Sequence, residues 1–402
     1  MYQFSILFLA WLIISIDLFL LYKNRNNKLL LILNFCIFLF NYSICVGEYI
    51  ANNILIGNNY LYNTRHGNLY IDGIWLLFVF DFIRFFFFNR KIPNVKIQYR
   101  SNVVIFYLIF LFLIYVAIFK VNREPSLQYE VKITALYEYS TLFFVFLIYY
   151  NGQSSFRNLI THLLAIVFIV QDMYYGGRVT SLQLIFLFLI MKHSSYLKFE
   201  KLALGFPIAL FVFTVIGAYR TNYNLNLALV DDVLKKIRDT WFVQDTAVYA
   251  FFASITQINA YYYISDITRL SSFISFIASI LGGSQAPIWF QFDPQLPLVS
   301  SLASQYHWNV GGGMIFTWYY FWGGFSGMLL LSVLMLKVIK KILLSNKDIY
   351  KLISITIVLT IPRWYLYSPL AFWRSSFFIF PILYFFFYFL DIFIKRLLKQ
   401  KI

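Results

Sequence analysis

Residues 4–22 read FSILFLAWLIISIDLFLLY, an apolar run interrupted by a single charge, Asp17. A bilayer core of roughly 30 Å takes about 20 apolar residues of α-helix to cross, so this run has the length and composition of one crossing. No basic residue precedes it and no small-x-small cleavage site follows, which predicts a retained helix rather than a signal peptide. Outward from it the pattern recurs at 29–46, 70–88, 103–119, 135–150, 159–174, 179–191, 202–219, 313–336, 352–370 and 375–394. The expected fold class is therefore an all-α polytopic membrane protein, one transmembrane domain over 1–402 with about eleven transmembrane helices. Pro362 and Arg363 interrupt the tenth run, and one long polar interval, 220–312, separates the eighth from the ninth. No repeat and no low-complexity linker divides the chain.

Composition agrees. The chain is 61% hydrophobic and 12% charged, where a soluble domain carries about 25% charged residues. Its net charge of +16 would suggest nucleic acid in a soluble protein, but here the distribution over loops is what informs. Alternate loops hold Lys23, Arg25, Lys28; Arg84, Arg90, Lys91, Lys96, Arg100; Arg157; Lys192, Lys198, Lys201; Lys337, Lys340, Lys341, Lys347, Lys351; and Lys395, Arg396, Lys399, Lys401. That is 21 of 33 basic residues, against 12 on the other side, four of them in the long interval. By the positive-inside rule the N-terminus lies outside and the C-terminus in the cytoplasm. This predicts a multi-pass protein of a bacterial inner membrane, with 220–312 as a large periplasmic loop, membrane lipids as its surroundings and no nucleic acid as partner. Cys36 and Cys45 fall in one apolar run, nine residues apart, as buried thiols rather than a disulfide or metal pair.

On that map, polar residues gather at the outer boundary. Arg178 ends the turn Gly176-Gly177-Arg178, Tyr219-Arg220 closes the eighth span, and Arg238 lies in the long interval. His307 stands in Tyr306-His307-Trp308-Asn309-Val310-Gly311-Gly312-Gly313, while Arg363 and Arg374 bracket the outer end of the last two spans. A snorkelling arginine is one reading of each. A clamp for an anion is the other, because a guanidinium offers a planar fork of donors that matches phosphate and keeps its charge. His307 suits a general base, with an ordinary pKa near 6.5, or else is a solvated loop residue beside a tryptophan. The run 311–313 either frees backbone N–H groups or lets a helix start close to a neighbour. His162 reads as a packed helix residue bonded to a carbonyl, and His66 and His193 as loop residues. The aromatics of 251–263 fit a sugar surface and an interfacial helix equally. Asp245, Asp266 and Asp293 are too irregularly spaced to propose a metal site.

Taken together, the spans, the long outer interval and the motifs resemble the Wzy-type O-antigen and repeat-unit polymerases. The motifs are Gly176-Gly177-Arg178, Tyr219-Arg220, Arg238-Asp239, the His307–Gly312 stretch and Phe321-Trp322-Gly323-Gly324-Phe325-Ser326-Gly327. The resemblance implies a glycosyltransferase that needs no cofactor or metal. It would polymerise undecaprenyl-pyrophosphate-linked oligosaccharide at the periplasmic face, with a polysaccharide chain-length regulator as a candidate partner. In that picture His307 is catalytic, and Arg178, Arg220, Arg363, Arg374, Asn309, Tyr219 and Arg238 bind pyrophosphate or glycan. No P-loop, G-x-G-x-x-G, H-E-x-x-H or D-x-D motif competes with it. Two alternatives stand beside it. An O-antigen ligase would use the same lipid-linked donor. A lipid-linked oligosaccharide flippase would need a polar path through the midplane, and Asp17, Asp81 and Arg84 read as lying mostly near span ends, against transport.

Overall fold

The computed structural model describes residues 2–51, 66–90, 92–95, 97–120, 135–152, 154–175, 179–222, 231, 233–234, 243–283, 296–305 and 312–399. Among them the chain is all-α, with no strand beyond an isolated bridge between Ser101 and Asn151. The helices are α1 Tyr2–Lys23, α2 Lys28–Ala51, α3 His66–Phe88, α4 Val103–Phe119, α5 Ala135–Glu138, α6 Ser140–Tyr150, α7 Ser155–Tyr174, α8 Val179–Met191 and α9 Phe199–Asn222. Then come α10 Asp245–Tyr263, α11 Asp266–Gly282, α12 Val299–Ser304, α13 Ile315–Leu343, α14 Asp348–Leu359, α15 Ile361–Leu366, α16 Pro369–Arg374 and α17 Phe380–Lys399, the last preceded by a π-turn over Ser375–Ile379. Five stretches are long and apolar enough to cross a membrane: Ile6–Lys23, Lys28–Gly47, Ser155–Tyr174, Ile315–Leu343 and Pro369–Leu397. Val103–Phe119, Leu136–Tyr150 and Val179–Met191 are shorter apolar helices.

All eleven apolar runs are helical, but not all as single helices. The fifth is divided at Tyr139 and the tenth at Thr360. Pro362 causes no loss where it sits, in the first turn of α15, because the N–H it lacks would have had no intrahelical partner. Side-chain caps set several starts: Asn102 accepts from the Val104 and Ile105 amides, Ser154 from Arg157, Ser265 from Thr268 and Ser368 from Leu370. His66, expected in a loop, opens α3. Cys36 and Cys45 are both buried and free.

The interval 220–312, expected as a periplasmic loop, contains α10, α11 and α12. α11 is amphipathic with its faces reversed relative to a soluble protein. Ile267, Leu270, Ile274, Ile277 and Leu281 form an exposed stripe, while Ser272, Ser275, Phe276 and Ser279 are buried. An exposed isoleucine and leucine stripe over a serine interface is stable where the solvent is hydrocarbon and small residues let helices approach. The same logic covers exposed Phe8, Trp11, Leu111, Leu330 and Phe389. This is the surface of an all-α membrane protein.

The chain forms two compact units, each assembled from separated stretches. One comprises Met1–Asn94, Ile237–Ser345 and Thr360–Phe378; the other comprises Val95–Lys236, Asn346–Leu359 and Ile379–Ile402. In the first, α10 is enclosed by α2, α3 and α13, with Ala247, Phe251, Ser254, Gln257 and Ile258 buried. In the second, α6 is buried along almost its whole length, from Ser140 to Tyr150.

Candidate functional site

The first unit concentrates the irregular backbone. Residues 312–314 enter α13 with φ values of +83° at Gly312 and +127° at Gly313. Both conformations favour glycine. A Cβ on Gly313 would stand 2.2 Å from Gln257 Nε2, and one on Gly312 would stand 3.1 Å from the Leu366 carbonyl oxygen. Gln257, fully buried on α10, donates from Nε2 to the Gly312 carbonyl at 2.6 Å and accepts from Thr317 Oγ1 at 2.8 Å. The Met314 amide donates to Ser254 Oγ at 2.7 Å, and the Gly313 amide to the Leu366 carbonyl at 3.1 Å. Of the two readings of these glycines, close approach to a neighbour describes Gly312 and Gly313. Backbone polar groups at this depth need protein partners, and Gln257, Ser254 and Leu366 provide them.

That same knot fixes the helices carrying two predicted arginines. Arg363 is half-buried on α15, and its carbonyl accepts from the Tyr367 and Ser368 amides at 3.0 and 3.1 Å, closing α15. Arg374 ends α16, half-buried, with its guanidinium against Gly283 at the end of α11. A Cβ on Gly283 would lie 2.8 Å from the guanidinium carbon, so the absence of one makes room for the charge. A cation beside a helix C-terminus is also favoured by the helix dipole. α15 and α16 pack on each other, which puts Arg363 and Arg374 on adjoining helices of one unit.

The remaining predicted residues are less described. Arg178, Arg238, His307 and Asn309 lie outside the described residues, as do the stretches 284–295 and 235–240. Tyr219 and Arg220 lie in the last turns of α9, with side chains outside the description. His162 donates from Nδ1 to the Asn158 carbonyl at 2.7 Å, the carbonyl bond expected of it, and its Nε2 meets His193 Nε2 at 3.1 Å.

A second polar centre in the first unit was read differently in the sequence. Asp17, Asp81 and Arg84 do not lie apart at span ends: they meet, fully buried, with Asn41 and Tyr365. Arg84 pairs through Nη2 with Asp17 and through Nε with Asp81 Oδ1 at 3.1 Å. Asn41 Nδ2 donates to Asp17 Oδ2 at 2.9 Å and to Asp81 Oδ2 at 2.7 Å, and its Oδ1 accepts from the Tyr365 hydroxyl at 2.8 Å. The centre thus ties α1, α2, α3 and α15 together, two residues from Arg363. The signal was present in the sequence. Asp81 and Arg84 share one face of a helix at i, i+3, and Asp17 lies a similar number of residues from the C-terminal end of its own helix.

At the far side of α10, α13 is broken at Gly323 (φ −138°, ψ 19°) and Gly324 (φ 61°, ψ −155°). Tyr261, Tyr262, Tyr320, Trp322 and Arg269 surround this break. No protein-family model, curated protein or solved structure matches the chain.

Proposed function

We propose that the chain is a membrane glycosyltransferase that extends a glycan carried on undecaprenyl pyrophosphate, a repeat-unit polymerase working at the periplasmic face of a bacterial inner membrane. The observation that carries this reading is the pair Arg363 and Arg374, each half-buried, on two short adjoining helices that interrupt the spanning pattern. Arginine on broken helices inside a membrane protein suits an anion that enters from one side. The reaction needs no redox step. An acceptor sugar hydroxyl attacks the anomeric carbon, the bond from that carbon to the pyrophosphate oxygen breaks, and the lipid pyrophosphate leaves with the bonding electrons. Its developing charge is met by arginine. His307, five residues before the Gly312 that Gln257 holds, takes the hydroxyl proton.

A flippase for the same lipid is the second reading, and one observation favours it: Asp17, Asp81 and Arg84 form a buried ionic centre, and intramembrane ionisable residues often mark transport paths. Gene deletion followed by gel analysis of surface polysaccharide separates the readings. Loss of the polymerase leaves one repeat unit on the core, whereas loss of a flippase or a ligase leaves none. In the polymerase, Arg363→Lys and Arg374→Lys keep the charge but lose the bidentate fork, so each should restore less polymer than charge alone would give. Wild-type polymer from the double lysine variant would remove these arginines from the mechanism.

A further inference from the structure

The break in α13 has one closed side and one open side. A Cβ on Gly324 would stand 2.8 Å from the Tyr261 hydroxyl, and its positive φ favours glycine. A Cβ on Gly323 would meet nothing within 4 Å among the described residues. The helix around the break is not a frayed tip. Ile315, Phe316, Trp318, Tyr319 and Phe321 before it are buried, as is Met328 after it. The non-helical angles at 323 and 324 interrupt the regular helical backbone there, and a backbone group left without a partner in hydrocarbon costs several kcal/mol. An open side at such a break is stable when water or a polar ligand occupies it.

The side chains around it narrow the ligand. The Tyr262 and Tyr320 hydroxyls are 3.2 Å apart, and the Tyr261 and Tyr320 rings lie 5.0 Å between centroids. Tyr262 is 63% exposed, so the hydroxyl pair is reachable. The Arg269 guanidinium lies 3.8 Å over the Tyr261 ring and is paired with Asp266. Trp322 is pinned by its Nε1 donating to Ser272 Oγ at 3.1 Å. Because Asp266 balances Arg269, this place does not have the uncompensated charge that would select a pyrophosphate. Phenol rings with their hydroxyls, next to a break in the helical backbone, match a molecule with apolar C–H faces and many hydroxyls.

We propose that the open side of the Gly323–Gly324 break, framed by Tyr261, Tyr262, Tyr320 and Arg269, is a saccharide subsite that takes sugar residues of the glycan rather than its pyrophosphate. It rests on the reading of the chain as a protein of lipid-linked glycans, though not on which step it performs. The probe is the free repeat-unit oligosaccharide, released by mild hydrolysis from the surface polysaccharide of the strain that carries the gene. Its binding to the full-length protein in nanodiscs is read from tryptophan fluorescence and from calorimetry. Gly323→Leu projects a side chain into space no protein atom occupies, so folding is retained while the subsite is filled. Gly205→Leu is the control, since a Cβ there also meets nothing within 4 Å but on α9.

The expected result is binding weakened at least tenfold by Gly323→Leu, about 1.4 kcal/mol, and unchanged by Gly205→Leu. Should Gly323→Leu not fold, the double variant Tyr262→Phe, Tyr320→Phe removes only two hydroxyls and should weaken binding severalfold. Equal binding by wild type and the folded subsite variants overturns the subsite, as does a wild type that does not bind the oligosaccharide. Polysaccharide from the deletion strain reports separately on the polymerase reading, so the two failures are distinguishable.

Discussion

The two units of this molecule handle polar groups in opposite ways. In the unit built from 1–94, 237–345 and 360–378, polar groups sit inside and the backbone bends to them: Gln257 at Gly312, Leu366 at Gly313, and the Asp17–Arg84–Asp81 centre bound through Asn41 to Tyr365. In the unit built from 95–236, 346–359 and 379–402, buried polar residues such as Gln183 and Asp391 sit on regular helices. Asp391 accepts from Asn102 at 2.7 Å and pairs with Arg100 and Lys395, while Lys192 donates to Asn158 Oδ1 at 2.5 Å. Burial holds the Lys192 ammonium below the usual lysine range. Irregular, polar interiors in a membrane fold are costly and persist where a ligand uses them; ends near water carry polar contacts at little cost. Under the proposed function, the difference puts the Arg363–Arg374 pair in the unit with the irregular interior.

The strongest attempt to break this comparison is Arg84→Ala. Removing one partner of a buried ion pair leaves two carboxylates facing each other, at a cost of about 3–5 kcal/mol. The amount of folded protein and its melting temperature in detergent should both collapse. Adding Asp17→Asn and Asp81→Asn to Arg84→Met should recover much of the loss, because a neutral centre no longer buries an uncompensated charge. A stable Arg84→Ala protein would mean that the centre does not hold the unit together.

Gly313→Ala ranks next. The residue would need φ of +127° with its Cβ inside the Gln257 amide. Such backbone strain costs about 1–3 kcal/mol before the clash is counted. Gly283→Ala sharpens the contrast, because its Cβ would meet the far end of the flexible Arg374 side chain rather than an anchored amide. It should lower the melting temperature less than Gly313→Ala while displacing the guanidinium, and so reduce polymer out of proportion to protein level. Equal loss of polymer and of protein would place Arg374 in packing alone.

How far the sequence foretold this divides along physical lines. Apolar runs such as 4–22 and 179–191 are legible because length and hydrophobicity suffice for a helix in lipid. Pro362 and Arg363 correctly marked the interrupted tenth run. Periodicity in 267–281 shows a stripe but not which solvent it faces, so α11 was hidden in a supposed loop. Asp17, Asp81 and Arg84 belong to two separate runs, and only packing shows that the two helices turn them to one point. For the site, Arg363 and Arg374 were visible as charges out of place, whereas Gln257 has no unusual composition around it and the glycine-rich stretch around Gly323 names no neighbour. Their roles depend on tertiary approach, which a sequence pattern does not encode.

The smallest expected effect belongs to Arg100→Ala in the second unit, and it closes the comparison. Arg100 lies 3.5 Å from Asp391, but its side chain is 29% exposed while that of Asp391 is 2% exposed. Losing Arg100 leaves Asp391 with Lys395 at 2.8 Å and Asn102 at 2.7 Å, so the buried carboxylate keeps a cation and a donor. A partly exposed pair of this kind contributes about 0–1 kcal/mol, screened further by salt. The melting temperature should therefore fall only slightly, and polymer should stay near wild type. The ratio between the two arginine variants is the informative quantity. If Arg100→Ala destabilised the protein as much as Arg84→Ala, the second unit would depend on buried charge as heavily as the first. The contrast between the two units would then lose its basis.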